Sequence, residues 1–194
     1  ARCLKDRTDY AKNGEKTENG EYISAYACDA ETADEEFMLA KQEYFRTTGR
    51  QPKGDIIAYQ IRQSFKPGEI TPEEANQVGY ETAMRFTKGN HAFIVATHTD
   101  RAHIHNHIIF NSTNLSCDRK FRDFFFIAIA LQHLSDLVCI EHGLSIIKPK
   151  RPSEREKRTT YPERKSFRDE LRETIDQILQ EEKPDDFDAF LAAL

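Results

Sequence analysis

Between His98 and Asn111 the chain reads His-Thr-Asp-Arg-Ala-His-Ile-His-Asn-His-Ile-Ile-Phe-Asn, which puts four of its seven histidines into fourteen residues. Side chains alternate between the two faces of a β-strand with a period of two. As a strand, the segment from Ala102 to Asn111 therefore turns His103, His105, His107, Ile109 and Asn111 to one side. Ile104, Asn106, Ile108 and Phe110 go to the other, where a mostly apolar face can rest on a core. Adjacent imidazoles gain nothing from core packing, so the histidine face reads as a metal site.

A second strand, His91 to Thr97, precedes it across a tight connection at Thr99, Asp100 and Arg101. A hairpin there returns His98 to the side of His103 and His105. Neutral imidazole is a ligand for several divalent cations, and three protein ligands with open positions are the pattern of a catalytic rather than a structural site. His98, His105 and His107 are the expected ligands, with Asp100 as the carboxylate that orients a ring nitrogen. His103 either replaces His98 or touches substrate.

The rest of the chain is read from periodicity and end signals. Residues 11–21 carry two Asn-Gly steps and form a loop, and Tyr22 to Cys28 is a short strand. Thr32 to Glu35 has the spacing of a capping box ahead of a helix that stops at Gly49. Asp55 to Phe65 is a strand ended by Pro67-Gly68. Thr71-Pro72-Glu-Glu74 opens a helix that runs to about Thr87. Phe121 to Glu141 is expected as an apolar helix capped by Gly143, with the run Phe124 to Ala130 in the core. This order implies an α+β fold, a mostly antiparallel central sheet with helices on one face and the histidine face open to a ligand. Residues 1–147 form the main domain, 148–165 a basic linker, and 166–194 the start of a C-terminal helical module. With no initiator methionine and no cap after Leu194, the chain is expected to be a fragment.

Composition narrows the function classes. The longest apolar run, Phe124 to Leu131, is far short of the ~20 residues of a membrane span, and no signal peptide is visible. Four scattered cysteines without a C-x-x-C pair favour reduced thiols. The formal net charge of −5 hides a strong segregation. Residues 148–168 hold nine Lys/Arg against three acids and residues 41–66 six against two, whereas 15–36 and the tail after Asp169 each carry about −7. A basic face can therefore meet phosphate under an acidic total. Signatures of the common zinc proteases, serine hydrolases and P-loop enzymes are not found. An open cation site beside basic segments suits polarising a phosphodiester oxygen.

The pattern His98-x-Asp100-x-x-His103-x-His105-x-His107-x-x-x-Asn111 resembles the third motif of conjugative relaxases, in the branch related to the T-DNA border nuclease. The likeness runs from about Leu4 to Ile147. Arg-Thr-Asp-Tyr10-Ala-Lys-Asn stands as the tyrosine motif, and Asp55 to Thr71, through Gln-Ser-Phe-Lys-Pro-Gly-Glu, as the second motif. Three motifs in the family's order make the match specific.

The resemblance implies an HUH endonuclease fold and a catalytic tyrosine that nicks and rejoins single-stranded or hairpin DNA at an origin of transfer through a 5′-phosphotyrosine link. Tyr10 is the implied nucleophile, with Mg²⁺ or Mn²⁺ on His98, His105 and His107, Asp100 orienting a ligand and His103 helping to take the tyrosine proton. Tyr10 lies ahead of a polar loop, outside any strong periodicity, and is expected to be accessible. Arg7, Arg62, Ser64, Lys66, Asn111, Arg119, Lys120 and Arg122 are the expected DNA contacts. Bacterial cytoplasm, an accessory relaxosome protein and a type IV coupling protein complete the implied setting. The start of the chain departs from the pattern, because family members place a β-strand ahead of the tyrosine motif and no strand pattern precedes Leu4. A sheet without that strand would leave an exposed edge and a less fixed Tyr10. The competing expectations are a rolling-circle replication initiator with the same chemistry and a DNA-binding module whose nuclease activity is silent.

Overall fold

In a computed structural model, which describes residues 2–50, 56–147, 167–181, 183 and 186–193, the chain divides into two compact units, 1–147 and 148–194. The first unit is an α+β layer, as its sequence implies. It contains α1 (Arg2–Ala11), β1 (Ile23–Tyr26), α2 (Ala33–Thr48), β2 (Ala58–Ser64), α3 (Pro72–Thr87), β3 (Phe93–His98), β4 (His105–Asn111) and α4 (Ile127–Glu141). The second unit contributes α5 (Phe167–Glu181) and α6 (Phe187–Ala193). The basic segment 148–165, expected as a linker, lies outside the described residues.

The four strands form one antiparallel sheet in the order β1-β3-β4-β2. The two histidine-bearing strands are central, and every residue of β3 is buried. Alternation gives each face its own core. Phe93, Val95, Ile108 and Phe110 pack with Ala83 of α3 and Leu131 of α4. Ile94, Ala96 and Ile109 pack with Ala11 and Leu4 of α1 and Phe37 of α2. The histidine face is therefore not left open along its whole length. Its apolar positions need cover, and α1 and α2 supply it, leaving the histidine end of the strands uncovered by this core.

Local signals explain most element ends. Thr71 accepts from the Glu74 amide and the Glu74 carboxylate accepts from the Thr71 amide, a complete capping box with Pro72 at the first helical position. Thr32 makes no such cap. Its hydroxyl donates to Glu36 Oε1 at 2.8 Å, and the same oxygen accepts from the Asp29 amide, so the carboxylate one turn on gathers the free donors. Gly49, at φ 66°, ends α2 in the left-handed region that glycine enters without strain.

The expectation for α4 is corrected. α4 begins at Ile127 rather than Phe121, and the run Phe124 to Ala130 is not core: Phe125 is 93% exposed and Phe126 60%. The helix is buried only further along, where Val138 and Cys139 join Phe65, Val78 and Ile70. Helix α1 is not marked in the sequence, because residues 2–11 give little periodic signal. Its buried face is only Leu4, Thr8 and Ala11, with the Thr8 hydroxyl folded back onto the Lys5 carbonyl at 2.9 Å.

Candidate metal centre and active site

β3 and β4 pair with His98 opposite His105 and Ala96 opposite His107. His98, His105 and His107 therefore share one face, and their ring centroids lie 4.4–5.2 Å apart. One ring nitrogen of each can point to a common centre, since the three ligand atoms lie within 4.8 Å of one another.

Asn106, between the two β4 histidines, fixes which way they face. It is fully buried on the opposite side, where its Nδ2 donates to Gln63 Oε1 at 3.1 Å and to the Ala75 carbonyl at 2.6 Å, while Oδ1 accepts from the Thr97 hydroxyl at 2.7 Å. A one-residue slip would bury a histidine in place of this satisfied amide and turn Asn106 outward.

The hydrogen bonds set the tautomers. A carbonyl only accepts, so His98 Nε2 donates to Ala11 O at 2.8 Å, and its buried Nδ1 has no partner among the described residues. His105 Nδ1 donates to the His103 carbonyl, leaving Nε2. His107 Nδ1 meets the Gln60 side-chain amide at 2.6 Å. The orphaned, buried Nδ1 of His98 is the feature a cation would relieve. Burial lowers the pKa of His98 and of His105, and burial together with neighbouring His98 and His105 pushes His107 down to about 4. All three rings are thus neutral near pH 7, the form in which an imidazole binds a metal.

Tyr10, on the last turn of α1, sits over this centre. Its ring lies 5.8 Å from that of His98 and 5.7 Å from that of His107, and its side is half exposed. Lys16, from the loop after α1, places Nζ 3.8 Å from the Tyr10 ring centroid and 4.0 Å from Asp100 Oδ2. The Lys16 carbonyl accepts from the Thr99 amide at 2.9 Å, which stitches that loop to the end of β3.

The other expected site residues divide by strand parity. Arg62 and Ser64 face outward on edge strand β2, opposite His107 and His105, and Lys66 is exposed just beyond. Arg7 of α1 lines a small groove with Gln60 on the same side of the sheet. His103 precedes β4, so it is not in the alternating face; it is exposed with its ring 5.4 Å from that of His105. Asp100 is held by Lys16 and Arg101 rather than by an imidazole, so the orienting partner of His98 is the Ala11 carbonyl. Asn111 is buried at the far end of β4, its Oδ1 accepting from the Thr113 amide, and Arg119, Lys120 and Arg122 lie at that far end too. Gln60 and Lys16 are the residues that sequence reading passed over. Gln60 shares the parity of Arg62 and Ser64, a signal present in the sequence.

Residues 10–144 match the family model described as relaxase, MobA/VirD2-like, nuclease domain. A protein named Protein rlx from Staphylococcus aureus is 36% identical over 157 residues, covering 79% of this chain and 46% of that protein. Another Protein rlx from the same species is 32% identical over 171 residues, covering 82% and 49%. The group II intron-interrupted relaxase LtrB of Lactococcus lactis subsp. cremoris is 28% identical over 150 residues, covering 70% and 27%. The chain spans less than half the length of these curated relatives. No solved structure matches.

Proposed function

The chain belongs to the MobA/VirD2-like relaxases, and on that premise we propose that it nicks and rejoins single-stranded DNA at an origin of transfer, with Tyr10 as nucleophile. The observation that carries the reading is the position of Tyr10, against the rings of His98 and His107 and under the ammonium of Lys16.

In this reading Tyr10 Oη attacks the phosphorus of one phosphodiester. A tyrosyl O–P bond forms to the 5′-phosphate and the P–O3′ bond breaks; the phenol proton passes to solvent, and the departing 3′-oxygen takes up a proton from solvent to leave as a free 3′-OH. One ester replaces another, so the step reverses without an added energy source. His98 Nδ1, His105 Nε2 and His107 Nε2 would hold the cation, Mg²⁺ or Mn²⁺, which when bound would supply charge stabilisation to the phosphoryl oxygens. Three imidazoles favour the softer Mn²⁺ of the two. Lys16 keeps the Tyr10 ring in place and sets a positive charge beside the attacked phosphate. Arg62, Ser64, Lys66 and Arg7 line the strand's approach on the same side of the sheet, and His103 meets it at the exposed edge. Among the described residues no helix is long and apolar enough to cross a membrane. The bacterial cytoplasm as location and the relaxosome and coupling proteins as partners are part of this same proposal.

The test is incubation of the chain with Mn²⁺ and a labelled single-stranded origin oligonucleotide, beside Tyr10→Phe, followed by a denaturing gel. A covalent protein–DNA band lost in the variant is expected. A band that survives Tyr10→Phe moves the nucleophile to another tyrosine, and DNA binding with no band in either protein makes the chain a binding module.

A further inference from the structure

A cavity of about 630 Å³ lies away from the histidine cluster. It is bounded by Asn90 and His91 ahead of β3 and by Asn114 after β4, on the face covered by α3 and α4. At ~3.3 Å per residue, the length of β3 separates it from His98 by about 20 Å.

Its chemistry is of two kinds. Lys88, Arg119 and Arg122 line it, all three exposed and none in an ion pair among the described residues. Arg85 lines it as well but is bound to Glu81 and Glu141. The one acid in the lining, Asp118, already accepts from Asn114 Nδ2 at 2.6 Å. Between the cations are rings. Phe121 and His91 form part of the wall at 5.7 Å from each other, and Phe124 is 47% exposed at the mouth. His91 Nδ1 donates to the carbonyls of Asn111 and Thr113, so Nε2 is left as an acceptor on a ring that lines the cleft.

We propose that this cleft is a second subsite for single-stranded DNA, distinct from the nicking centre. Lys88, Arg119 and Arg122 neutralise consecutive phosphates and Phe124 stacks on a base. Cations that track a backbone beside exposed rings are what sequence-tolerant strand binding requires. An acidic polypeptide would satisfy the cations but leave the rings without a partner, whereas a nucleic-acid strand satisfies both. The inference goes beyond the nicking proposal and takes from it only that the strand is DNA.

The experiment uses the whole chain without divalent metal and an oligothymidylate carrying 5-iododeoxyuridine, read by photo-cross-linking with peptide mapping and by anisotropy over a salt series. Cross-links are expected within the segment from Arg119 to Phe126. Arg119→Glu with Arg122→Glu should weaken binding about tenfold or more and reduce the slope of log affinity against log salt by about 1.4, the share of two phosphate contacts on a single strand. Phe124→Ala should weaken binding and leave that slope unchanged. Cross-links confined to the neighbourhood of Tyr10 and His103, or affinity and slope unchanged in all the variants, would overturn the proposal. Tighter binding of oligoglutamate than of oligothymidylate, indifferent to Phe124→Ala, would give the cleft to an acidic protein and overturn it equally. The adduct gel with Mn²⁺ reads the nicking proposal and this metal-free series reads the cleft, so failure of the one and failure of the other are told apart.

Discussion

His98 donates its Nε2 hydrogen to the carbonyl of Ala11 at 2.8 Å, joining two residues 87 positions apart in the chain. Ala11 directly follows Tyr10, so the bond that selects the His98 tautomer also anchors the helix end bearing the tyrosine. The histidine triad and Tyr10 are one assembly. His98→Ala should therefore do two things at once. Mn²⁺ affinity, measured by titration calorimetry, should fall by ~10–100-fold or more, the range seen when a metal ligand's own support is removed. Amide exchange at the end of α1 should quicken even without metal. Loss of affinity with unchanged exchange would break the link between the two.

Gln60 stands on the same footing toward His107. With the Gln60 nitrogen facing Nδ1, the ring proton would sit on Nε2 and block a metal there; with the amide oxygen facing it, Nδ1 carries the proton and Nε2 is free. The second orientation is the metal-competent one. Gln60→Ala should weaken Mn²⁺ binding by ~10-fold with little loss of folding stability, since the side chain is exposed. Gln60→Glu, which can only accept at that position, should retain binding.

Lys16 contacts the Tyr10 ring and Asp100 together. A cation against an aromatic face contributes roughly 0.5–2 kcal/mol, and here the contact holds the ring rather than the DNA. Lys16→Met should slow single-turnover adduct formation about tenfold and leave the oligonucleotide dissociation constant nearly unchanged. Lys16→Arg should recover much of the rate. Equal losses in rate and binding would make Lys16 a simple DNA contact.

The fold gives a pH dependence through His91, which is buried beside Phe110 and Phe121. Burial lowers its pKa from the ordinary 6.5, against the two carbonyls that raise it. The unfolded chain then binds a proton at a higher pH than the folded one. Stability contributed by the neutral ring is present above pH 6.5 and is lost as pH falls through and below that value. Urea midpoints taken between pH 7.5 and 5 should fall with acidity, and His91→Gln should flatten that slope by its own share.

Much of the site could be read before the fold. The period-two pattern in 98–111 put His105 and His107 on one face, and Thr71-Pro72-Glu74 marked the start of α3, because both signals are local. Tyr10 could be singled out as accessible, but its helix could not, since α1 owes its place to only three inward residues and to a bond from His98. The partnership of Gln60 with His107 depends on cross-strand register, which alternation alone leaves open. Phe124 to Ala130 was misread for a different reason. An apolar run reports the cost of exposure, and a surface that meets rings or bases can carry that cost.

Gly79 shows how far from the histidine triad its geometry is decided. It sits mid-helix in α3, where a Cβ would lie 2.8 Å from Val95 Cγ1 and closer still to Asn106 Nδ2. Only a bare backbone lets α3 approach the sheet closely enough for the Ala75 carbonyl to accept from Asn106. Gly79→Ala gains up to ~1 kcal/mol in helix propensity but overpacks a full interior at a cost of ~1–3 kcal/mol, so a net loss of about 1 kcal/mol is expected in chemical denaturation. Because Asn106 sets which face His105 and His107 take on β4, the same variant should also weaken Mn²⁺ binding, although it touches neither histidine. Gly79→Ala that loses stability while its Mn²⁺ affinity stays intact would show that α3 packing and the triad are independent, and would remove Asn106 as the residue that aims the two histidines.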